Sequence, residues 1–157
     1  MKNHTSCKSV PPIFAPYCAL FIVDRITKYW ALHYTVSRNT ITPFLAFDLT
    51  FNRGVSWGIL NTESIFIFYA TTITVMIITL GILHYTYMRI RQGFNIYGEL
   101  LIITGSLSNI IDRFLYTGVI DFIEVSYKTY AWPIFNCADM YIVLGVILML
   151  IPLYCEP

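Results

Sequence analysis

Four apolar segments, at roughly residues 12–32, 64–88, 96–116 and 134–154, constrain this chain more than any other feature. A helix that crosses a bilayer needs about 20 mostly apolar residues. A helix also satisfies its own backbone hydrogen bonds, which lipid cannot do. The expected fold class is therefore an all-α membrane protein, a bundle of four transmembrane helices. No internal repeat or low-complexity segment divides the chain, so residues 1–157 read as a single domain. Composition agrees, with 57% hydrophobic and 12% charged residues. Soluble domains carry about 25% charged residues, so this chain has too few to cover a water-facing surface. Lys2 and Lys8 before the first apolar run resemble a secretory signal, but no small-residue cleavage site follows, and the run enters Asp24-Arg25. It reads as a retained span.

Several functional classes find no support. The net charge is +1 and no basic run interleaves with aromatics, so nucleic acid is not an expected partner. Cys7, Cys18, Cys137 and Cys155 form no CxxC pair, and His4, His33 and His84 lie far apart. No metal and no cofactor are expected.

Short-loop positive charge sets the expected orientation. Arg89 and Arg91 fall in the link between the second and third spans, and Lys2 and Lys8 precede the first. Both termini are then cytoplasmic, and the longer loops, residues 33–63 and 117–133, face outward. Asn109, Asp112, Arg113, Asn136 and Asp139 come to one membrane level near the outer face. Within the first outer loop, Phe47 to Asn52 alternates apolar and polar residues, the period of a half-buried strand. A small sheet at the interface would pair it, and Gly54 and Gly58 permit a turn or close backbone approach.

The stretch from Thr104 to Asp139 gathers three of the five aspartates, Asp112, Asp121 and Asp139. Two buried carboxylates that meet can share a proton, one acting as base on a water and the other as acid. Asp121 and Asp139 suit that role. An equally open reading makes Asp139 a helix-start acid and Asp121 an ordinary loop acid. Asn136, three residues before Asp139, shares its helix face and has an amide to offer a carboxylate or a substrate carbonyl. Asp112-Arg113 reads as a structural ion pair or a headgroup contact. Asp24 and Lys28, four apart in the first span, can pair on one face, as a structural device or a functional one. The same residues leave room for a proton-coupled transporter or for a structural membrane subunit.

Four stretches, in order, resemble the signal peptidase II (lipoprotein signal peptidase) family. They are Asp24-Arg25-Ile26-Thr27-Lys28, Asn52-Arg53-Gly54-Val55-Ser56-Trp57-Gly58, Asn109-Ile110-Ile111-Asp112-Arg113 with Gly118-Val119-Ile120-Asp121-Phe122, and Phe135-Asn136-Cys137-Ala138-Asp139. The resemblance runs from about Val23 to Leu150. It implies an intramembrane aspartyl endopeptidase of the bacterial inner membrane. Such an enzyme removes the signal peptide of a prolipoprotein before a diacylglyceryl-modified cysteine. It implies Asp121 and Asp139 as the catalytic pair and Asn52, Gly54, Asn109, Arg113 and Asn136 around them. Asp24 and Lys28 match a supporting pair. A four-helix membrane bundle with a small extracytoplasmic sheet, acting as a monomer on prolipoprotein in contact with membrane lipid, is the implied form. Where family members often show Gly-Gly-Ala-x-Gly-Asn, this chain has Thr104-Gly105-Ser106-Leu107-Ser108-Asn109.

Overall fold

The computed structural model describes residues 14–35, 37–54 and 64–155, with side chains through residue 150. Among them are four helices, α1 (Phe14–Tyr34), α2 (Ile65–Gln92), α3 (Tyr97–Tyr116) and α4 (Cys137–Cys155). There are also four strands, β1 (Asn39–Thr42), β2 (Leu45–Asn52), β3 (Val119–Tyr127) and β4 (Tyr130–Ala131). The strands form one antiparallel sheet in the order β1-β2-β3-β4. The four expected helices and the alternating strand are present. Pro12, Lys2, Lys8 and the Val55–Gly58 part of the first loop lie outside the described residues.

Among the described residues one helix, Ile65–Gln92, is by itself long and apolar enough to cross a membrane. The others are interrupted: α1 by Asp24, Arg25 and Lys28, and α3 by Glu99, Asp112 and Arg113. The apolar part of α4 runs from Cys137 to Leu150.

Two boundaries differ from the sequence reading, each for a local reason. Arg89 and Arg91 belong to the last turns of α2, not to the link after it. Cations are favoured at a helix C-terminus, and both lie along tyrosine rings of the preceding turn, Tyr85 and Tyr87. The helix stops at Gly93, whose positive φ of 81° lets Gly93 N and Phe94 N bond back to the Ile90 and Arg89 carbonyls. At the other end, α4 begins at Cys137 rather than Ile134. The preceding residues run beside β3, with Phe135 N donating to Ile123 O and Ile123 N to Phe135 O. A chain committed to a sheet ladder cannot also start a helix.

Helices α3 and α4 approach most closely, and small residues permit it. Gly98 and Gly105 on α3 face Gly145 and Ala138 on α4. A Cβ on Gly98 would sit 2.7 Å from the Gly145 carbonyl oxygen, and one on Gly145 would sit 2.5 Å from that of Gly98. Both pairs are seven residues apart, the repeat of a left-handed helix pair. On α2 the buried residues include Thr72, Thr79 and Thr86, also seven apart. Each hydroxyl donates to the carbonyl four residues earlier, at 2.7–2.8 Å, so the buried stripe leaves no hydroxyl unpaired.

The sheet covers one end of the bundle. Ile120 and Phe122 of β3 close over Ala31 of α1, with Phe47 and Leu49 of β2 beside them. Side chains alternate along a strand, so Asp121 points away from that cluster, toward the ends of α3 and α4. This alternation makes β3 both the lid of the core and the carrier of a carboxylate. Phe51, read in the sequence as on the face of Phe47 and Leu49, is 42% exposed and lies against Tyr116. The pairing of β2 with β3 shifts register between Phe47 and Thr50, which re-aims the last residues of β2.

Candidate active site

The start of α4 holds one carboxylate in place by its own backbone. Asp139 N donates to Asn136 Oδ1 at 2.9 Å, and Asn136 N donates to Asp139 Oδ2 at 3.3 Å. This is a capping box, in which a cap residue and the residue three later satisfy each other's amides. Asn136 and Asp139 therefore do not share a helix face as the spacing first suggests. Asn136 lies just before the helix and caps it, and the same spacing of three serves the cap.

That cap leaves the Asn136 amide nitrogen free to point inward. Asn136 Nδ2 donates to Asp121 Oδ1 at 2.6 Å, with Ile120 O and Asn109 Oδ1 at 3.3 Å. One fully buried asparagine thus contacts both carboxylates through different atoms. Each aspartate has a second amide donor. Asn52 Nδ2 reaches Asp121 Oδ2 at 3.0 Å, while Asn109 Nδ2 reaches Asp139 Oδ1 at 2.9 Å. Asn52 is itself oriented, since its Oδ1 accepts from Gly54 N at 2.9 Å. That short turn places Gly54 where its carbonyl accepts from Arg113 Nη2.

Arg113 and Asp112 are not a pair. Adjacent helical residues point about 100° apart, and these two serve different neighbours. Arg113 turns to the loop carbonyls of Arg53 and Gly54 and to Thr72 Oγ1, over the ring of Phe68. Asp112 turns to α1, where it takes ion pairs from Arg25 and, at 2.7 Å, from Lys28. Lys28 Nζ also meets Asp24 Oδ2 at 3.0 Å and Asn109 Oδ1 at 2.8 Å. Its three protons have three acceptors. Asp24 completes the circuit, accepting from Ser108 Oγ and, at 2.8 Å, from Ala138 N beside Asp139. Two cations and two carboxylates balance inside the protein, and Asp24, Lys28 and Asp112 are wholly buried. The expected Asp24–Lys28 pair is thus part of a network tying α1 to α3 and α4. The sequence reading assigned no partner to Arg25 or to Ser108. A charge inside an apolar helix must find an opposite charge, and that was the available signal for Arg25.

The pair borders two spaces. One is a groove of about 590 Å³, lined by Asn52, Asp121 and Asp139 and then by apolar residues including Trp132, Met140, Val143 and Ile147. Asp139, Val143 and Ile147 are four apart, so the groove runs down one face of α4 away from the carboxylates. The other is a cavity of about 90 Å³ that also touches Asn52, Asp121, Asp139 and Ile142, together with Asn109, Arg113 and Ser106. Of the site residues expected from the sequence, Asn52, Gly54, Asn109, Arg113, Asp121, Asn136 and Asp139 lie in this region, and Asp24 and Lys28 lie in its supporting network.

Burial, and then the negative charge of Asp139, push the Asp121 carboxyl up to about 7, against the hydrogen bonds of Asn52 and Asn136. Such a shift opposes stability at neutral pH. The folded state holds a proton that the unfolded chain has lost by about pH 4, so Asp121 costs stability progressively from pH 4 to 7. At the upper end this approaches about 4 kcal/mol. Asp121→Asn is expected to melt higher than the parent at pH 8, with the difference shrinking toward pH 4. Thermal melts in detergent across that range check it, and a pH-independent difference refutes it.

Comparison with known proteins places this arrangement. Residues 17–155 match the family described as signal peptidase (SPase) II. The lipoprotein signal peptidase of Clostridium novyi (strain NT) is 36% identical, the match covering 86% of this chain and 92% of that protein. That of Staphylococcus carnosus (strain TM300) is also 36% identical, covering 86% and 85%. Two solved structures, each described as a bacterial membrane enzyme, are 29% identical to this chain. One superposes with a TM-score of 0.76 over 94% of this chain and 90% of its own, the other with 0.72 over 95% and 96%. The chain belongs to the signal peptidase II family.

Proposed function

We propose that this protein is an aspartyl endopeptidase of the membrane that removes signal peptides from prolipoproteins, cutting before a diacylglyceryl-modified cysteine. The observation that carries the reading is the junction at Asn136, which bonds Asp121 through its amide and Asp139 through its backbone. Two carboxylates so held favour the state in which one is ionised and the other protonated. The ionised one takes a proton from a water whose oxygen attacks the scissile carbonyl carbon. The protonated one gives its proton to the carbonyl oxygen. The gem-diol intermediate collapses as the C–N bond breaks: the proton taken from water passes to the leaving cysteine nitrogen, and one hydroxyl of the diol returns its proton to the other aspartate, leaving a carboxylic acid and restoring the pair. No metal or cofactor enters. Asn52, Asn109 and Asn136 hold the carboxylates, Arg113 and Gly54 hold the loop after β2, and Asp24 with Lys28 brace the helices.

The groove along α4 suits an apolar signal segment arriving sideways from lipid. In this reading all four helices span the membrane, one domain acts as a monomer, and both termini are cytoplasmic. The carboxylates then lie near the extracytoplasmic face of a bacterial inner membrane. Amide donors on both carboxylates and an ion-pair network around Asp24, Lys28 and Asp112 suit a fixed site better than a moving ion path or an assembly surface. The test uses purified protein in lipid nanodiscs with a prolipoprotein carrying, or lacking, the diacylglyceryl group. Cleavage of the modified form alone, with cysteine at the new N-terminus by mass spectrometry, is expected. Absence of cleavage, or ion flux in liposomes instead, overturns the proposal.

A further inference from the structure

Ser106 lines the same small cavity as the two carboxylates, and none of the site's hydrogen bonds among the described residues uses its hydroxyl. It lies on α3 and is 8% exposed. The neighbouring hydroxyls are occupied: Thr104 Oγ1 donates to Leu100 O at 2.7 Å, and Ser108 Oγ donates to Asp24. The Ser106 hydroxyl has no hydrogen bond to any other described residue. Nor is it among the polar atoms sealed off without a partner, which are Thr35 Oγ1 and Arg89 Nε. It therefore has open space before it, and the space that Ser106 borders is the 90 Å³ cavity shared with Asp121, Asp139, Asn109 and Arg113. A buried hydroxyl without a partner is costly, and water relieves that cost where polar groups converge. At ~30 Å³ each, the cavity has room for a few ordered waters.

We propose that Ser106 is a positioning residue that holds a water in this cavity, beside the two carboxylates. The inference rests on the peptidase reading. It adds a division of labour: the peptide enters along the apolar face of α4, and the attacking water is drawn from the adjoining small cavity that Ser106 lines. A water bonded to Ser106 Oγ and to an aspartate is pre-oriented before the peptide seals the groove. The hydroxyl does not take or give the reacting proton; it fixes where the water stands.

Ser106→Ala removes the hydroxyl and keeps the volume. It is expected to lower kcat by about three- to tenfold, the effect of one hydrogen bond, with KM within twofold and an unchanged melting temperature. Ser106→Val fills the chamber and is expected to lower kcat at least tenfold further. Ser106→Thr, which keeps a hydroxyl, is expected to exceed Ser106→Val. Equal kcat in the parent, Ser106→Ala and Ser106→Val overturns the inference, as does a loss confined to KM. Asp121→Asn run beside them separates the two claims. If it is inactive while the Ser106 variants are unchanged, the water chamber alone fails; if it stays active, the carboxylate reading fails first.

Discussion

Asp121→Asn and Asp139→Asn are each expected to lower turnover of a diacylglyceryl-modified prolipoprotein by about 10³- to 10⁵-fold, with both proteins folded. General acid–base catalysis by one group supplies about 10²–10⁴, and groups that act as a unit lose more than their separate shares. An amide at either position is isosteric and keeps one acceptor for the Asn136 contact, while its NH2 replaces the oxygen that accepted from Asn52 or Asn109, so the fold survives while the proton-sharing does not. The double variant is expected to be no worse than the poorer single one, because either loss breaks the same unit. The measurement is single-turnover cleavage by each variant, with melting temperature and secondary structure recorded beside it. Near-parental turnover in either single variant refutes the shared-proton mechanism. A fully additive double variant would instead mean that the two carboxylates act separately.

The second large effect is on stability. Lys28→Met is expected to destabilise the protein by about 3–5 kcal/mol, the range for removing one partner of a buried ion pair. Lys28 is wholly buried with Asp24 at 3.0 Å and Asp112 at 2.7 Å. Methionine fills the space but leaves Asp24 with only Ser108 and the Ala138 amide, and Asp112 with Arg25 and a distant Ile120 amide. The loss reaches the site as well, since Lys28 also holds the Asn109 carbonyl whose amide nitrogen serves Asp139. Lys28→Met combined with Asp24→Asn is expected to recover part of the stability, because the uncompensated charge is removed with its partner. Melts of the two single variants and the double variant give the coupling between the sites. A Lys28→Met protein that melts with the parent would mean the network contributes nothing, and an additive double variant would mean the two residues are not coupled.

Arg25 extends the same logic. It is part-exposed, yet it meets Asp112 and the Ser108 hydroxyl across the α1–α3 contact. The three charges that make α1 a poor membrane helix by composition are thus those that fasten it to its neighbours. An interrupted span in this molecule marks a structural joint.

The helices were legible in the chain because their cause is local. Runs of about 20 apolar residues recur four times, and lipid or a bundle interior permits little else for such runs. The alternation from Phe47 to Asn52 likewise announces a strand, and the spacing of Asp24 and Lys28 announces a pair on one turn. The ordered motifs from Asp24 to Asp139 pointed to the family. What the chain could not disclose depends on which faces meet after folding. Asp112 and Arg113 are neighbours in sequence, yet their side chains diverge around the helix and serve α1 and the β2 loop respectively. Asn136 looked like a helix-face residue and is a cap, because residues 132–135 were claimed by the edge of β3. The meeting of Asp121 and Asp139, 18 positions apart, needed β3 to alternate one carboxylate outward and a capping box to hold the other. The groove beside them and the cavity at Ser106 exist only between elements. Periodicity along a chain reports what each segment buries; only tertiary structure decides what each buried group is buried against.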